Sequence, residues 1–243
     1  MTGPASRPPS PPICPLAAVL LDLDGTLLDT APDMTGALNA LRAQQQLSPL
    51  SLPEVRVHVS HGSNAVVRAG FPDATAAEFE ALRTRFLDLY RDDLVVETRM
   101  FPGFDAVLDA LDTHAIPWGI VTNKPAWLTE PLLSAIGLRG RAGCVLSGDS
   151  LPLRKPDPLP LLTAAQQLGV PPPRCLYLGD ALRDAQAARA AGMVALGARY
   201  GYLGTHEDLD NWPVTGWLSE PLELLAWVGV PRPTRAPPER AGA

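Results

Sequence analysis

Lysine is almost absent from this chain of 243 residues. Of its 20 basic residues only two are lysines, Lys124 and Lys155, and the rest are arginines. A chain that otherwise uses arginine can keep a lysine where a compact point charge is needed. The two lysines are therefore candidates for a functional site.

Cysteines and long apolar runs are also scarce. The three cysteines, Cys14, Cys144 and Cys175, form no Cys-x-x-Cys pair, which argues against a disulfide framework or a structural zinc site and fits a reducing cytosol. The longest apolar run, residues 16–21, stops at Asp22, whereas a membrane span needs about 20 such residues. No apolar stretch near the start is long enough for a secretory signal peptide, so we expect a cytoplasmic protein without a membrane segment.

The charge pattern excludes other classes of partner. The net charge is −6, from 20 basic and 26 acidic residues, and no run of basic residues occurs. Nucleic acids and anionic membrane surfaces are therefore poor candidates as partners. Hydrophobic residues make up 46% of the chain, which is enough for a packed core.

Short apolar runs that do not alternate with polar residues are typical of strands buried on both faces. Segments with helical spacing separate these runs, and alternation of this kind predicts a parallel sheet with helices on both sides. The fold class is therefore α/β, with a Rossmann-like parallel sheet as its core. The predicted strands are residues 17–21, 118–121, 144–146, 175–178 and 194–196, and the predicted helices include 105–111, 158–168 and 182–191.

A block between the first two of these strands looks entirely helical. Thr75 and Glu78 form a capping box before an amphipathic stretch, and Met34, Leu38 and Leu41 share one helical face. An insertion at this point would lie over the carboxyl ends of the strands, where open α/β sheets bind ligands. The predicted organisation is a core of residues 16–32 and 100–230, a helical cap domain of residues 33–99, and poorly ordered proline-rich tails at 1–15 and 231–243.

The first strand ends in Asp22-Leu23-Asp24-Gly25-Thr26. With a side-chain period of two, Asp22 and Asp24 leave the strand on the same side, and Gly25 allows a sharp turn. Carboxylates this close repel each other, so they call for a divalent cation or a raised pKa. The motif alone fits a plain polar turn equally well.

Three further polar motifs follow later strands. Thr122 and Asn123 come after the second strand, where a hydroxyl and backbone amides can cradle phosphate oxygens. Lys155 precedes a helix, and Asp180 and Asp184 lie four residues apart at another helix start. Each motif alone has a structural explanation, such as helix capping or a solvated surface lysine.

Together and in this order, the four motifs resemble those of the haloacid dehalogenase superfamily of phosphohydrolases. That pattern is Asp-x-Asp-Gly-Thr, a Thr or Ser, a Lys, and Gly-Asp-x-x-x-Asp, and the resemblance covers roughly residues 16–228. The helical block corresponds to the cap in the arrangement found in phosphoglycolate phosphatases. The segment from Arg199 to Trp212 further resembles the subgroup of N-acetylmuramic acid 6-phosphate phosphatases.

The resemblance implies catalytic and binding roles for individual residues. Asp22 would attack phosphorus to form an aspartyl-phosphate, and Asp24 would act as general acid and then general base. Thr122, the backbone amide of Asn123, and Lys155 would bind the phosphoryl oxygens.

The resemblance also implies a magnesium ion. Its ligands would be the Asp22 carboxylate, the Asp24 backbone carbonyl and the Asp180 carboxylate, with Asp184 supporting them from nearby. Oxygen ligands together with a substrate phosphate are what Mg²⁺ prefers.

The expected function is Mg²⁺-dependent hydrolysis of the phosphomonoester of a small metabolite, as in phosphoglycolate phosphatases. The alternatives are an N-acetylmuramic acid 6-phosphate phosphatase in cell-wall sugar recycling, or a catalytically idle binding module on the same fold. A sugar phosphomutase is disfavoured, because no lysine lies between Asp24 and Lys124. Monomer and homodimer both stay open. Candidate specificity residues in the cap are His58, Ser60, His61, Gly62, Ser63, Asn64 and Arg68, with His58 and His61 on one side of a helix.

Overall fold

The computed structural model describes residues 15–204 and 208–232. The proline-rich tails predicted at 1–15 and 231–243 fall almost entirely outside the described residues. The strands are β1 (Ala18–Leu21), β2 (Leu28–Asp29), β3 (Arg99–Met100), β4 (Trp118–Val121), β5 (Cys144–Leu146), β6 (Cys175–Gly179), β7 (Val194–Ala198) and β8 (Gly216–Leu218). The helices are α1 (Ala31–Gln44), α2 (Leu52–Val59), α3 (Ser63–Gly70), α4 (Ala76–Asp92), α5 (Phe104–Thr113), α6 (Ala126–Ala135), α7 (Leu159–Leu168), α8 (Leu182–Ala190) and α9 (Leu224–Trp227).

A parallel sheet forms the centre of the molecule. Its six strands run in the order β5-β4-β1-β6-β7-β8, and every neighbouring pair is parallel. All residues of β1, β4 and β6 are buried, as expected of strands covered on both faces. The predicted α/β class with a Rossmann-like parallel sheet is confirmed, and the carboxyl ends of these strands share one edge.

The predicted helices of the core are present, with one local correction. The segments predicted at 105–111, 158–168 and 182–191 correspond to α5, α7 and α8. Helix α7 begins at Leu159, one residue later than predicted, and Pro158 is its N-cap. The Asp157 carboxylate, one residue before the N-cap, accepts a hydrogen bond from the Leu159 backbone N–H at 2.9 Å. It thus provides an acceptor for one of the N–H groups that have no partner within the helix.

Helices α1 to α4 form a helical insertion between β2 and β3. These two short strands pair antiparallel, with Leu28 opposite Met100, where the chain leaves and re-enters the sheet region. The predicted capping box is present, because Glu78 accepts from the Thr75 backbone N–H at 2.9 Å while Thr75 Oγ1 accepts from the Glu78 N–H at 3.4 Å. The division into a cap of residues 33–99 and a core stays a prediction.

A buried carboxylate joins the two crossings between the sheet and the helical insertion. Asp33, near the start of α1, accepts hydrogen bonds from the backbone N–H groups of Val96, Glu97 and Thr98 at 2.8–3.1 Å. It also accepts from Thr98 Oγ1 at 2.7 Å. The outgoing and returning chains are therefore tied by one side chain.

Replacing Asp33 by Ala should destabilise the fold by about 2–4 kcal/mol. The three backbone N–H groups and the Thr98 hydroxyl would lose their acceptor, and the two donors of Thr98 are buried. The free energy of unfolding in urea measures the effect. Asp88→Ala is the matched control, since its carboxylate lies 3.4 Å from Arg91 in an exposed ion pair and should cost less than about 1 kcal/mol. Equal costs for the two variants would contradict the role assigned to Asp33.

Candidate active site

The first motif lies directly after the central strand β1. Asp22 is buried at 3% exposure, and the turn that follows is closed by a hydrogen bond from the Gly25 N–H to the Leu28 carbonyl at 2.9 Å. Gly25 has φ +80°, and a Cβ there would collide with the carboxylate of Asp180. Glycine is therefore required both by the backbone conformation and by the approach of the fourth motif.

The strand ends bring three other motifs to Asp22. Thr122 follows β4, Asp180 follows β6, and Lys155 lies on the loop after β5. The Lys155 ammonium is 2.9 Å from Asp22 Oδ1 and 2.8 Å from Asp184 Oδ1, with none of its side chain exposed. Motifs more than 100 residues apart in the chain thus meet at one edge of the sheet.

Three buried carboxylates share this point. Oxygens of Asp22, Asp180 and Asp184 all lie within 4.8 Å of one another. Burial raises the pKa of Asp22 to about 7, because desolvation and the two neighbouring carboxylates outweigh the attraction of Lys155. Burial and Asp184 likewise raise the pKa of Asp180 to about 6.

Asp184 differs from the other two carboxylates. Burial acts to raise its pKa, but Lys155, Arg183 and a hydrogen bond from the Ala181 N–H at 3.0 Å together lower it. The negative charge of Asp184 is thus well compensated, mainly by Lys155. The charges of Asp22 and Asp180 are not, and they are repelled by the neighbouring carboxylates. A divalent cation bound to the carboxylate oxygens of Asp22 and Asp180 would remove this repulsion, so the residues present fit Mg²⁺.

Hydrogen bonds fix the Asp180 carboxylate from three directions. It accepts from Thr26 Oγ1 at 3.1 Å, from the Tyr202 backbone N–H at 3.0 Å, and from Ser60 Oγ at 2.6 Å. Ser60 follows α2, so the helical insertion reaches the acidic cluster directly. Arg183 supports this contact by donating to the Ser60 carbonyl.

The predicted phosphate-binding residues lie beside the cluster. Thr122 Oγ1 accepts from the Lys124 backbone N–H at 3.1 Å. The Asn123 side chain makes two bonds to the backbone of Lys155, accepting from its N–H at 3.1 Å and donating to its carbonyl at 2.9 Å. The sequence implied a role for the amide of Asn123, and the structure adds that its side chain holds Lys155 in place.

A cavity of about 640 Å³ lies between these strand ends and the helical insertion. Asp22, Asp24, Thr122, Asn123 and Lys155 line it from the sheet side, and Ser60, His61, Gly62, Ser63, Asn64 and Tyr90 line it from the insertion. Five of the seven candidate specificity residues therefore face the cavity. The expectation that His58 and His61 share a helix is wrong, because α2 ends at Val59. Arg68 instead lies over the Phe79 ring, 4.2 Å from its centroid.

Sequence reasoning missed the contact made by Lys124. Its ammonium is 3.0 Å from Asp24 Oδ1 and 2.9 Å from the Tyr90 hydroxyl, and Thr30 Oγ1 donates to the same Asp24 oxygen at 2.6 Å. Burial lowers the pKa of Lys124, but Asp24 and Tyr90 outweigh burial and raise it above its usual value. The scarcity of lysine was the one signal for this residue.

Two buried tyrosines were also missed. The Tyr177 hydroxyl accepts from the Lys155 ammonium at 2.6 Å and donates to the Val121 carbonyl at 2.8 Å. The Tyr202 hydroxyl accepts from the Thr30 N–H at 2.7 Å, while its own backbone N–H binds Asp180. Tyr202 lies in the segment of residues 199–212 that carries a resemblance, but nothing in the sequence assigns either tyrosine a role, since only the fold brings their hydroxyl groups to the site.

Comparison with known proteins gives the class. The family model of haloacid dehalogenase-like hydrolases matches residues 16–192, and the chain belongs to that family. A phosphoglycolate phosphatase of Xylella fastidiosa is 41% identical over 84% of this chain and 89% of its own length. An N-acetylmuramic acid 6-phosphate phosphatase of Pseudomonas aeruginosa is 40% identical over 86% of this chain and 93% of its own length.

Solved structures agree with the sequence comparison. A crystal structure described as a predicted phosphoglycolate phosphatase from Haemophilus somnus matches with a TM-score of 0.78 at 26% identity, covering 88% of this chain and 98% of that one. Family and relatives together identify a phosphoric monoester hydrolase, similar to both kinds of phosphatase. None of the helices in the described residues has the length and apolar character that crossing a bilayer requires.

Asp22→Asn should stabilise the metal-free protein at pH 8 by about 2–4 kcal/mol, because it removes a charge that burial disfavours. The folded pKa of about 7 exceeds the ordinary value of 3.8, so the folded state holds an extra proton between those values. The stability that Asp22 contributes therefore falls as pH rises from 4 to 7. Denaturant unfolding with chelator at pH 5, 6, 7 and 8 measures the difference between the variant and the parent.

The free energy of unfolding of Asp22→Asn should exceed that of the parent by an amount that grows up to about pH 7 and then levels off. Asp157→Asn is the control, since its carboxylate accepts a hydrogen bond at a helix start and lies outside the acidic cluster. A constant difference across this pH range, or a less stable Asp22→Asn variant at pH 8, would contradict the electrostatic account.

Proposed function

We propose that this protein is a Mg²⁺-dependent phosphatase that hydrolyses the phosphomonoester of a small metabolite through an aspartyl-phosphate on Asp22, in the manner of phosphoglycolate phosphatases. One observation carries the proposal. The Asp22 carboxylate lines the cavity and lies 2.9 Å from the buried Lys155 ammonium, within an acidic cluster suited to a cation. A nucleophile and a fixed positive charge for the phosphoryl group are thus side by side.

In the first step an Asp22 oxygen forms a bond to phosphorus as the bond from phosphorus to the leaving oxygen breaks. Asp24, which lines the same cavity, gives a proton to that leaving oxygen. Lys155, Thr122 and the Asn123 amide hold the phosphoryl oxygens and offset the charge that they carry.

In the second step a water molecule attacks phosphorus, and the bond to the Asp22 oxygen breaks. Asp24, now ionised, takes a proton from that water, so inorganic phosphate leaves and both side chains return to their starting states. The Asp22 and Asp180 carboxylates and the Asp24 backbone carbonyl would hold Mg²⁺, with Asp184 in support. When bound, this ion supplies positive charge beside the nucleophile and the phosphoryl group.

The helical insertion serves as the cover of the site in this proposal. Ser60 binds Asp180 and Tyr90 binds Lys124, so two contacts draw the insertion onto the strand ends. Such closure keeps bulk water away from the reacting groups and opens again for product release.

Phosphoglycolate is the smaller of the two substrates suggested by the names of the relatives, and one observation favours the larger. The cavity of about 640 Å³ falls in the range that accommodates drug-sized ligands, well beyond a two-carbon acid phosphate. Trp127 lines it with 44% of its surface exposed, and a flat aromatic side chain suits a sugar ring. N-acetylmuramic acid 6-phosphate is therefore the second candidate substrate.

The proposal extends to the cellular compartment, the partner and the oligomeric state of the enzyme. Two cysteines, Cys144 and Cys175, are buried free thiols, which fits the reducing cytoplasm expected from the sequence. A small phosphorylated metabolite is its partner. Whether it acts as a monomer or a homodimer stays a prediction.

A substrate panel tests the function. Phosphate release from 2-phosphoglycolate, N-acetylmuramic acid 6-phosphate, hexose phosphates and nucleoside monophosphates should require Mg²⁺ and stop on addition of chelator. The highest kcat/KM is expected for one of the first two compounds. Activity that persists in chelator, or no turnover of any phosphomonoester, would overturn the proposed function.

Asp22→Asn should reduce kcat by about 10³-fold or more while the protein stays folded, because an amide cannot attack phosphorus to form the acyl phosphate. Steady-state kinetics with the best substrate of the panel measure the loss. Asp157→Asn should keep parental kcat, since this side chain accepts a hydrogen bond near the start of α7 and does not line the cavity. Retention of full activity in Asp22→Asn would reject the assignment of the nucleophile.

A further inference from the structure

Lys124, like Lys155, is buried beside a carboxylate of the first motif. Only 5% of the Lys124 side chain is exposed, and its ammonium lies 3.0 Å from Asp24 Oδ1. A charged group removed from water must find partners, so the position is not that of a surface lysine. The Lys155 ammonium likewise lies 2.9 Å from Asp22 Oδ1. Each carboxylate of the first motif therefore has its own buried lysine.

Two donors meet the same oxygen of Asp24. The Lys124 ammonium and Thr30 Oγ1, at 3.0 and 2.6 Å, both bind Oδ1. The side chain of Asp24 is 16% exposed and lines the cavity, so it is still accessible to a substrate. With Oδ1 engaged twice, the rotation of the carboxylate is restricted and Oδ2 is the oxygen left for proton exchange.

The helical insertion supplies the third member of this arrangement. Tyr90, on α4, is buried at 1% exposure, and its hydroxyl accepts from the Lys124 ammonium at 2.9 Å. The ammonium also lies 4.6 Å from the Tyr90 ring centroid, within the range of a cation–π contact. Phe86 stacks on the same ring with centroids 6.3 Å apart, which steadies it. Lys124 is thus held between the insertion and the sheet.

We propose that Lys124 is a positioning residue that fixes the orientation of Asp24 for proton transfer, and that Tyr90 makes this orientation depend on the seating of the helical insertion. The inference rests on the proposed phosphatase function. Lys124 itself neither gains nor loses a proton in the reaction. The proton passes from Asp24 to the leaving oxygen as the phosphorus–oxygen bond breaks, and returns to Asp24 from water in the second step.

Dependence on the leaving group tests this role. An alkyl phosphate needs a proton on its leaving oxygen, whereas p-nitrophenyl phosphate releases a stable anion that needs none. Lys124→Met keeps the length of the side chain and removes its charge. In a single turnover with Mg²⁺ it should slow release of an alkyl leaving group by about 10²-fold or more, and release of p-nitrophenolate by much less.

Tyr90→Phe is the second variant, since it keeps the ring and removes the hydroxyl. It should shift the ratio of the two rates in the same direction by a smaller factor. Tyr200→Phe is its matched control, because the Tyr200 hydroxyl is buried without a hydrogen-bond partner among the described residues. That control should leave both rates and their ratio at parental values.

Equal losses for the two esters, or no loss in Lys124→Met, would overturn the inference, since a merely structural lysine would not discriminate between leaving groups. A parent protein that turns over neither ester would instead contradict the proposed function. A crystal structure of Lys124→Met then decides the inference separately. An Asp24 carboxylate turned away from its parental position supports it, and an unmoved carboxylate overturns it.

Discussion

The contact between the Lys155 ammonium and the carboxylates of Asp22 and Asp184 is the interaction on which the candidate active site depends. These groups lie at 2.9 and 2.8 Å, and at most 4% of any of the three side chains is exposed. Lys155 and Arg183 do not fully balance the three carboxylates, and the raised pKa values of Asp22 and Asp180 express that shortage of positive charge. In the proposed function, a divalent cation bound here would make up that shortage and would also offset the charge of the phosphoryl oxygens of a substrate. The excess negative charge lowers the stability of the folded protein, and in the proposed function it serves to bind the cation.

The parallel sheet explains how such a site can be assembled from distant parts of the chain. The strands β1, β4, β5 and β6 are adjacent and run in one direction, so the loops that follow them meet at one edge. The helical insertion enters at this same edge and reaches the site through Ser60 and Tyr90. Its two crossings are joined by the Asp33 carboxylate. A movement of the insertion would therefore act on both halves of the site together, on Asp180 through Ser60 and on Asp24 through Lys124.

Much of this could be predicted from the sequence, because strand pattern and motif spacing are local properties. The strands at 118–121 and 144–146 have the predicted bounds, and the acidic and lysine motifs do lie together. Contacts decided by packing could not be predicted in this way. Nothing near Tyr90 or Tyr202 in the chain indicates that their hydroxyl groups reach Lys124 and Thr30. The short strand β8 was also missed, since three residues beside the 3-10 turn at Pro221–Glu223 carry little periodicity.

The central claim is that the side chain of Asp22 carries the phosphoryl group between the two steps. Acid quenching within a single turnover, followed by mass spectrometry of the digested protein, tests this directly. The account predicts an added phosphoryl group on the peptide containing Asp22, which appears after mixing with substrate and disappears as inorganic phosphate forms. A phosphoryl group on a different residue, or turnover with no modified peptide at any quench time, would contradict it.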